Sequence, residues 1–385
     1  MLLVHINTDQ HPPHFAETIA DRCNERLCMN PNPASEHMEL LAMLLDRCPT
    51  TVEIIPGDAT SWSPDSTDRG PYHPFLFIDG NLGVPQKVLY ALYPYAVNVF
   101  NDFRKACLSS RETPQASSRS KPTDLLESSS VILLANPSHQ TTLNARKRLV
   151  REGTIDPEKE LRFTSSLLSC QHCTKHGELW YHRRWMFAFS QQLSSGEHSR
   201  SSFHIPLASL GKELALIARA CELYPRNYFA WMHRFICFRS VVHCHPIGAL
   251  SNQLSDILNN EIDDIKRWME CHVSDYSAVH YLISLSQLFP QLQGLNDGLY
   301  HHSTSLVRAY PSHETLWIYA YAACLMPGTH GEDPGEFLEG FVRPLAQLRS
   351  TDVLTDDDSA QASQHGQRFL ARRELGLGGE LGTGC

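Results

Sequence analysis

The chain has 385 residues, 42% hydrophobic and 19% charged, enough apolar material for a buried core and too much for a disordered polymer. Its formal net charge of −9 argues against a nucleic-acid binder, which carries a basic excess. No apolar run reaches the roughly 18 residues of a membrane span, and the opening MLLVHINTDQHPPHF turns polar before a signal core can form. A soluble, cytoplasmic protein with no membrane span and no nucleic-acid partner is expected.

Twelve cysteines are scattered through apolar segments such as Ala218 to Leu223 and Phe235 to Phe238, as expected of reduced thiols used as small hydrophobes. The C-terminal GTGC is not a C-a-a-X box, so prenylation of the chain itself is not indicated.

In chain order, residues 1–74 read as a partly irregular extension, with a strand-like run at Val52 to Ile55 and a Pro-rich loop from Pro56 to Pro74. A second strand-like run lies at Phe75 to Ile78, opening a body expected to run over 75–350. Ser109 to Ser130 and Ser194 to His204 have linker composition, and 351–385, with its TDDD and Gly-rich end, reads as a disordered tail. Between these stretches the apolar period is helical. Leu210, Leu214, Ile217 and Cys221 form one stripe, and Leu254, Ile257, Leu258, Ile262, Ile265, Trp268 and Met269 form another.

A weak repeat runs through the helical region. LNARKRLV (143–150), WYHRRWMF (180–187), WMHRFICF (231–238), VHYLISLS (279–286) and WIYAYAAC (317–324) each open on a large apolar anchor. The anchors Leu143, Trp180, Trp231, Val279 and Trp317 lie 37 to 51 residues apart, the length of a helical hairpin and its loop. One hairpin cannot cover its own apolar stripe, so neighbours must stack and the anchors become seam residues. Arg146, Arg183 and Arg234 stand three positions after their anchors, one turn further along the same face. Four residues before theirs, Asn227 and Asp275 read as helix caps.

The strings NYFAWMHR (227–234) and ELWYHRRW (178–185) resemble the Asn-x-x-x-Trp-x-x-Arg repeat of the farnesyl- and geranylgeranyltransferase α subunits. Five such segments in order, near 139–150, 175–188, 226–239, 274–287 and 312–325, extend the resemblance to the protein prenyltransferase α-subunit repeat family over residues 75–345. The pattern departs where Leu143 and Val279 replace Trp, and where Leu282 and Ala320 replace the basic residue.

The resemblance implies an all-α, right-handed superhelical solenoid of helical hairpins. It also implies the α-like subunit of a heterodimeric protein geranylgeranyltransferase, inactive alone. The partner would be the β subunit of the Rab enzyme, which would carry the zinc and, at the heterodimer site, hold the isoprenoid diphosphate. The acceptor would be a protein with C-terminal cysteines, a small GTPase or a longin-type SNARE. By the same resemblance Lys175, five residues before Trp180, would contact the diphosphate, with Gly177 where the family has a tyrosine and Tyr228 retained.

Lys175 also reads as an ordinary solvated lysine. His182, Arg183, Arg184, His233 and Arg234, with Tyr228, could face the partner, or the arginines could pair inside the fold and lock adjacent hairpins. Cys170-Gln171-His172-Cys173 and His243-Cys244-His245 contain zinc-ligand types but no second spaced pair, so no metal site is expected in this chain. A non-catalytic scaffold binding a protein or peptide is the competing reading. A stand-alone enzyme has no convergent constellation behind it.

Overall fold

The computed structural model describes residues 32–59, 71–109, 122–195, 203–244, 252–289, 295–326, 337–347 and 357–374. The expected all-α helical-repeat class is what the chain adopts. It divides into two compact units, residues 1–49 with 54–146 and residues 50–53 with 147–385, instead of a single body starting at 75. Among the described residues no helix is long and apolar enough to cross a membrane.

The first unit begins with α1 (Pro33–Asp46), capped by the Asn32 side chain on the Ala34 N–H and burying Met38, Leu41, Leu44 and Leu45. Strand β1 (Thr51–Ile55) straddles the division. Strands β2 (Leu76–Ile78) and β3 (Asn81–Pro85) pair antiparallel, Leu76 opposite Gly83 and Ile78 opposite Asn81. Their two-residue turn has positive φ at both Asp79 (49°) and Gly80 (76°), the conformation that Asp-Gly tolerates best. Helices α2 (Gln86–Ser109) and α3 (Pro122–Ala135) pack on each other and on α1.

Helix α3 takes in the Ser-rich end of the expected linker. Ser128, Ser129 and Ser130 are buried, because each hydroxyl returns to a carbonyl of its own helix: Asp124 (2.6 Å), Leu126 (2.9 Å) and Leu126 (2.8 Å). Composition counted them as loop residues, whereas local hydrogen bonding makes them compatible with the core. Helix α4 (Gln140–Arg151) carries the first anchor, Leu143, which is buried.

In the second unit the helices alternate between two layers. One holds α5 (Pro157–Leu168), α8 (Leu207–Leu223), α10 (Asn252–Cys271) and α12 (Leu295–Ala309). The other holds the anchor helices α7 (Gly177–Ser195), α9 (Tyr228–Cys244), α11 (Tyr276–Leu288) and α13 (Glu314–Cys324). The single turn α6 (Gln171–Thr174) leads into α7. α8 packs on α9, α10 on α11 and α12 on α13, while the anchor helices pack on one another in series. This is the hairpin stack that the anchor spacing requires.

The anchors lie in the seams: Trp180, Trp231, Val279 and Trp317 are all buried. Two of the indoles meet the residue two positions after the next anchor, Trp180 against His233 (5.1 Å between ring centroids) and Trp231 against Tyr281 (5.3 Å). Among the described residues Trp317 meets no further repeat hairpin. Phe369 serves instead, at 5.7 Å, from α15 (Asp357–Glu374).

Helix α15 occupies 357–374 of the stretch 351–385 expected to be a disordered tail. Ala362, His365, Gly366 and Phe369 form its buried stripe, a face so small and polar that hydropathy alone does not reveal it. Gly366 seats on Ala346 of the short helix α14 (Arg343–Ala346), where an added Cβ would stand 3.6 Å from the Ala346 Cβ. In this position α15 closes the stack, as a terminal cap does in a repeat array. Phe369→Ala should therefore destabilise the second unit by about 3–5 kcal/mol. Urea unfolding of the full chain checks this; a loss below about 1 kcal/mol would show that the helix does not cap the stack.

Candidate functional site

The residues two and three positions after Trp180 and Trp231 point inward and are consumed there. Arg183 is buried and makes a two-pronged pair with Glu213 of α8, Nε to Oε1 and Nη2 to Oε2, both 2.6 Å. Its third nitrogen donates to the Leu161 carbonyl (2.8 Å) and the Thr164 hydroxyl (2.8 Å) of α5. Arg234 repeats the arrangement one hairpin on, with Glu261 of α10 at 2.5 and 2.7 Å and the Leu214 carbonyl at 3.4 Å. Arg146, in the first unit, donates instead to Ser129 Oγ (2.6 Å).

The position two after the anchor binds the carboxylate of the preceding helix. His182 Nε2 lies 2.8 Å from Glu160 Oε1, His233 Nε2 lies 2.7 Å from Glu213 Oε1, and Tyr281 Oη donates to Glu261 Oε1 at 2.6 Å. Glu213 thus joins two hairpins, taking Arg183 from one and His233 from the next. Burial alone would raise its carboxyl, but the charge and hydrogen bonds of Arg183, with the hydrogen bond from His233, overcome this and hold it at about 2. His233 is pushed down by its own burial, against the pull of Glu213, and stays neutral. A neutral imidazole protonated on Nε2 donates to Glu213 and leaves Nδ1 to accept from Arg184 Nη1 at 3.5 Å.

These contacts correct the outward-facing reading of His182, Arg183, His233 and Arg234. All four side chains are buried and directed at acceptors inside the fold, so none is presented to a second protein. Pairing inside the fold, the competing reading, is what the geometry shows for these four. Arg184 is half-buried with its guanidinium 4.4 Å from the ring of the exposed Tyr181, and Tyr228 is exposed.

Sequence reasoning missed Glu160, Glu213 and Glu261. The signal was available, since Glu213 falls inside the apolar stripe of Leu210 and Ile217, where a lone carboxylate demands a buried cation.

The loops before the anchors are tied together from the other side. Thr174 O accepts from Trp180 Nε1 (2.8 Å) and from Asn227 Nδ2 (3.0 Å), while Asn227 Oδ1 caps α9 at the Ala230 N–H (3.2 Å). Asp275 caps α11 at the Ser277 and Ala278 N–H groups, and its other oxygen accepts from Trp231 Nε1 (3.3 Å) and Trp268 Nε1 (3.1 Å). Both expected caps therefore also fasten one hairpin to the previous one.

Lys175 follows Thr174 directly and Tyr228 follows Asn227, so that one hydrogen bond holds their loops side by side. Lys175 is exposed and, among the described residues, meets no carboxylate or carbonyl. The rings of His172 and His176 lie on the same turn, 5.7 Å apart. His176 is pushed below its ordinary range by burial first, then by His172, with Lys175 adding to the effect. Gly177 is required where it stands, because a Cβ there would come within 2.6 Å of the Phe229 ring. This edge can offer a positive charge and a phenol to an anion, and it contains no nucleophile and base in register.

Cys170 and Cys173 are buried and hydrogen-bonded to each other, which lowers Cys170, while burial raises Cys173. Among the described residues no group of three or more His, Cys, Asp or Glu side chains is placed to hold a metal ion. The side chains of His243, Cys244 and His245 lie outside the described residues.

The depressed pKa of Glu213 fixes a direction for acid unfolding. Its stabilisation is complete above its ordinary value of 4.5 and is lost as pH falls from there toward 2. Glu213→Gln should cost about 3 kcal/mol at neutral pH. The gap to wild type should close between pH 4.5 and 2; a gap independent of pH in urea titrations would rule out a charged Glu213 as the source.

A family model described as the protein prenyltransferase alpha subunit repeat matches residues 210–241, which cover most of α8 and α9 and include Glu213, Trp231 and Arg234. The chain is also 29% identical over 285 residues to protein prenyltransferase alpha subunit repeat-containing protein 1 from Danio rerio, covering 63% of this chain and 62% of that one. The Homo sapiens protein of that name is 28% identical over 63% of this chain and 67% of its own length. A Xenopus laevis relative, protein 1-A, is 28% identical over 54% of this chain and 45% of its own. The match therefore spans between about half and two thirds of these relatives. The matched repeat lies on the hairpin whose ion pairs build the stack, and over that hairpin the chain is similar to the protein prenyltransferase α-subunit repeat.

Proposed function

We propose that this chain is the non-zinc, α-like subunit of a protein geranylgeranyltransferase, and that it pairs with a zinc-bearing β subunit of the Rab type. The observation that carries the reading is Lys175, an exposed ammonium without an internal partner, on a loop fastened beside Tyr228 by the Thr174–Asn227 hydrogen bond. The reaction needs a thiolate, a metal to lower its pKa, and positive charge on the leaving diphosphate. Lys175 supplies only the last, so activity belongs to the heterodimer. The acceptor is a protein with C-terminal cysteines, in keeping with transfer to small GTPases or a longin-type SNARE.

A scaffold without catalysis is the second reading. It is favoured by the internal consumption of His182, Arg183, His233 and Arg234, which leaves few polar repeat residues for chemistry.

Co-expression with a Rab-type β subunit distinguishes the two. The complex is expected to form and to transfer a geranylgeranyl group, and neither chain alone should do so. Lys175→Ala should slow turnover by about 10- to 100-fold, the scale of one lost electrostatic contact, with the thermal midpoint unchanged. No association with the β subunit would overturn the proposal, and association with unaltered turnover in Lys175→Ala would leave the scaffold.

A further inference from the structure

Outside the ladder of buried Arg–Glu pairs and the Lys175 edge, one surface of the second unit combines unpaired charge with half-buried aromatic area. Trp185, Ala188, Phe189 and Gln192 lie at i, i+3, i+4 and i+7 along α7, and with Arg151 they line a groove of about 410 Å³. Trp185 and Phe189 stack at 5.1 Å with 13° between their planes, and neither is buried. Over the indole stand two cations from α4, Lys147 Nζ at 5.4 Å and the Arg151 guanidinium at 4.9 Å from its centroid.

The charge here is unmatched. Elsewhere the repeat arginines meet an acceptor inside the fold: Arg183 has Glu213, Arg234 has Glu261 and Arg146 has Ser129. Among the described residues Lys147 and Arg151 have only the indole and each other, one turn apart on α4 where like charges repel. Burial, and secondarily the Arg151 charge, lowers the pKa of Lys147, so an incoming carboxylate would relieve both costs. In a chain of net charge −9, such a spot is an exception to the general field. The stripe from Trp185 to Gln192 spans eight residues of α7, about 10 Å of rise, or two turns of an opposing helix.

We propose that this groove docks an acidic amphipathic helix of another protein, with bulky apolar side chains on Trp185 and Phe189 and a carboxylate between Lys147 and Arg151. Tryptophan and arginine at the centre are the residue types that dominate such interfaces. The interaction belongs to the repeat body and does not depend on prenyl transfer.

The test uses the full chain and a fluorescein-labelled 16-residue helical peptide with a Leu/Phe stripe flanked by glutamates. A control peptide carries lysine at each glutamate. Fluorescence anisotropy should show the acidic peptide binding at least 10-fold tighter than the control, about 1.4 kcal/mol, and weakening as salt rises. Arg151→Glu, a change at an exposed position, should cost at least 10-fold, and Trp185→Ala a similar factor. Should Trp185→Ala fail to fold, by circular dichroism, Arg151→Glu and Lys147→Ala carry the test. Equal binding of the two peptides, or binding indifferent to Arg151→Glu, would overturn the proposal. So would inorganic pyrophosphate binding as tightly as the peptide and displacing it, which would assign the groove to a small anion. A concentration-dependent dimer abolished by Arg151→Glu would also overturn it, by giving the face to a second copy.

Discussion

A guanidinium cannot be buried between two helical hairpins without a carboxylate to meet it, and this constraint organises the second unit. Arg183 and Arg234 are each less than a tenth exposed, and each fork is filled by one glutamate from the other layer. A buried pair of this kind contributes little net stability, because desolvation offsets most of the attraction. Its effect is on register. Glu213 sits between Lys212 and Leu214 on α8, so a shift of one residue would set a leucine or a second cation against the guanidinium and turn the carboxylate away. Apolar stripes alone tolerate such a slip; the bidentate geometry does not.

The degenerate repeats obey the same constraint in reverse. Leu282 and Ala320 stand where arginine would be, and the buried positions of the next helix after Leu282, Leu299, Tyr300, Ser303, Thr304, Leu306 and Val307 on α12, include no carboxylate. The pair has gone as a pair. Removing one member would strand a buried charge, whereas replacing both by well-packed apolar groups is neutral or favourable. The neighbouring position behaves likewise, for Tyr319 no longer has a carboxylate and its hydroxyl meets His302 Nδ1 at 3.2 Å. Loss of the motif in the fourth and fifth hairpins is therefore compatible with an intact stack, and by itself it is poor evidence that function has been lost.

This logic also decides what could be read from the chain beforehand. The anchors were legible because a large apolar residue recurring at hairpin spacing has one economical use, burial in a seam. Asn227 and Asp275 were legible as caps because capping is local, set by a side chain and an N–H two or three residues away. The destinations of Arg183 and Arg234 were not legible in the same way. Their partners lie 30 and 27 residues downstream on another helix, and only the hairpin geometry brings them together. Composition misled at Ser128 to Ser130 and over 357–374 for a related reason: it scores polarity residue by residue, whereas buried serines return to their own backbone and α15 buries a stripe of small residues around one phenylalanine.

Once the ladder has taken its residues, the positions left for recognition are few, and the architecture dictates where they fall. Helix interiors after each anchor are committed to holding neighbours, so variation there risks the register of the whole stack. The turns before each anchor are different. Their backbone is fixed by the Thr174 carbonyl with its two donors and by Asp275 with its four, yet the residues immediately following, Lys175, Tyr228 and Tyr276, extend into solvent. A rigid backbone presenting exposed side chains is the arrangement in which a residue can be exchanged with little disturbance of the core. Where this chain and its relatives differ in what they bind, these turn positions can change at the least structural cost, and the buried glutamates at the greatest.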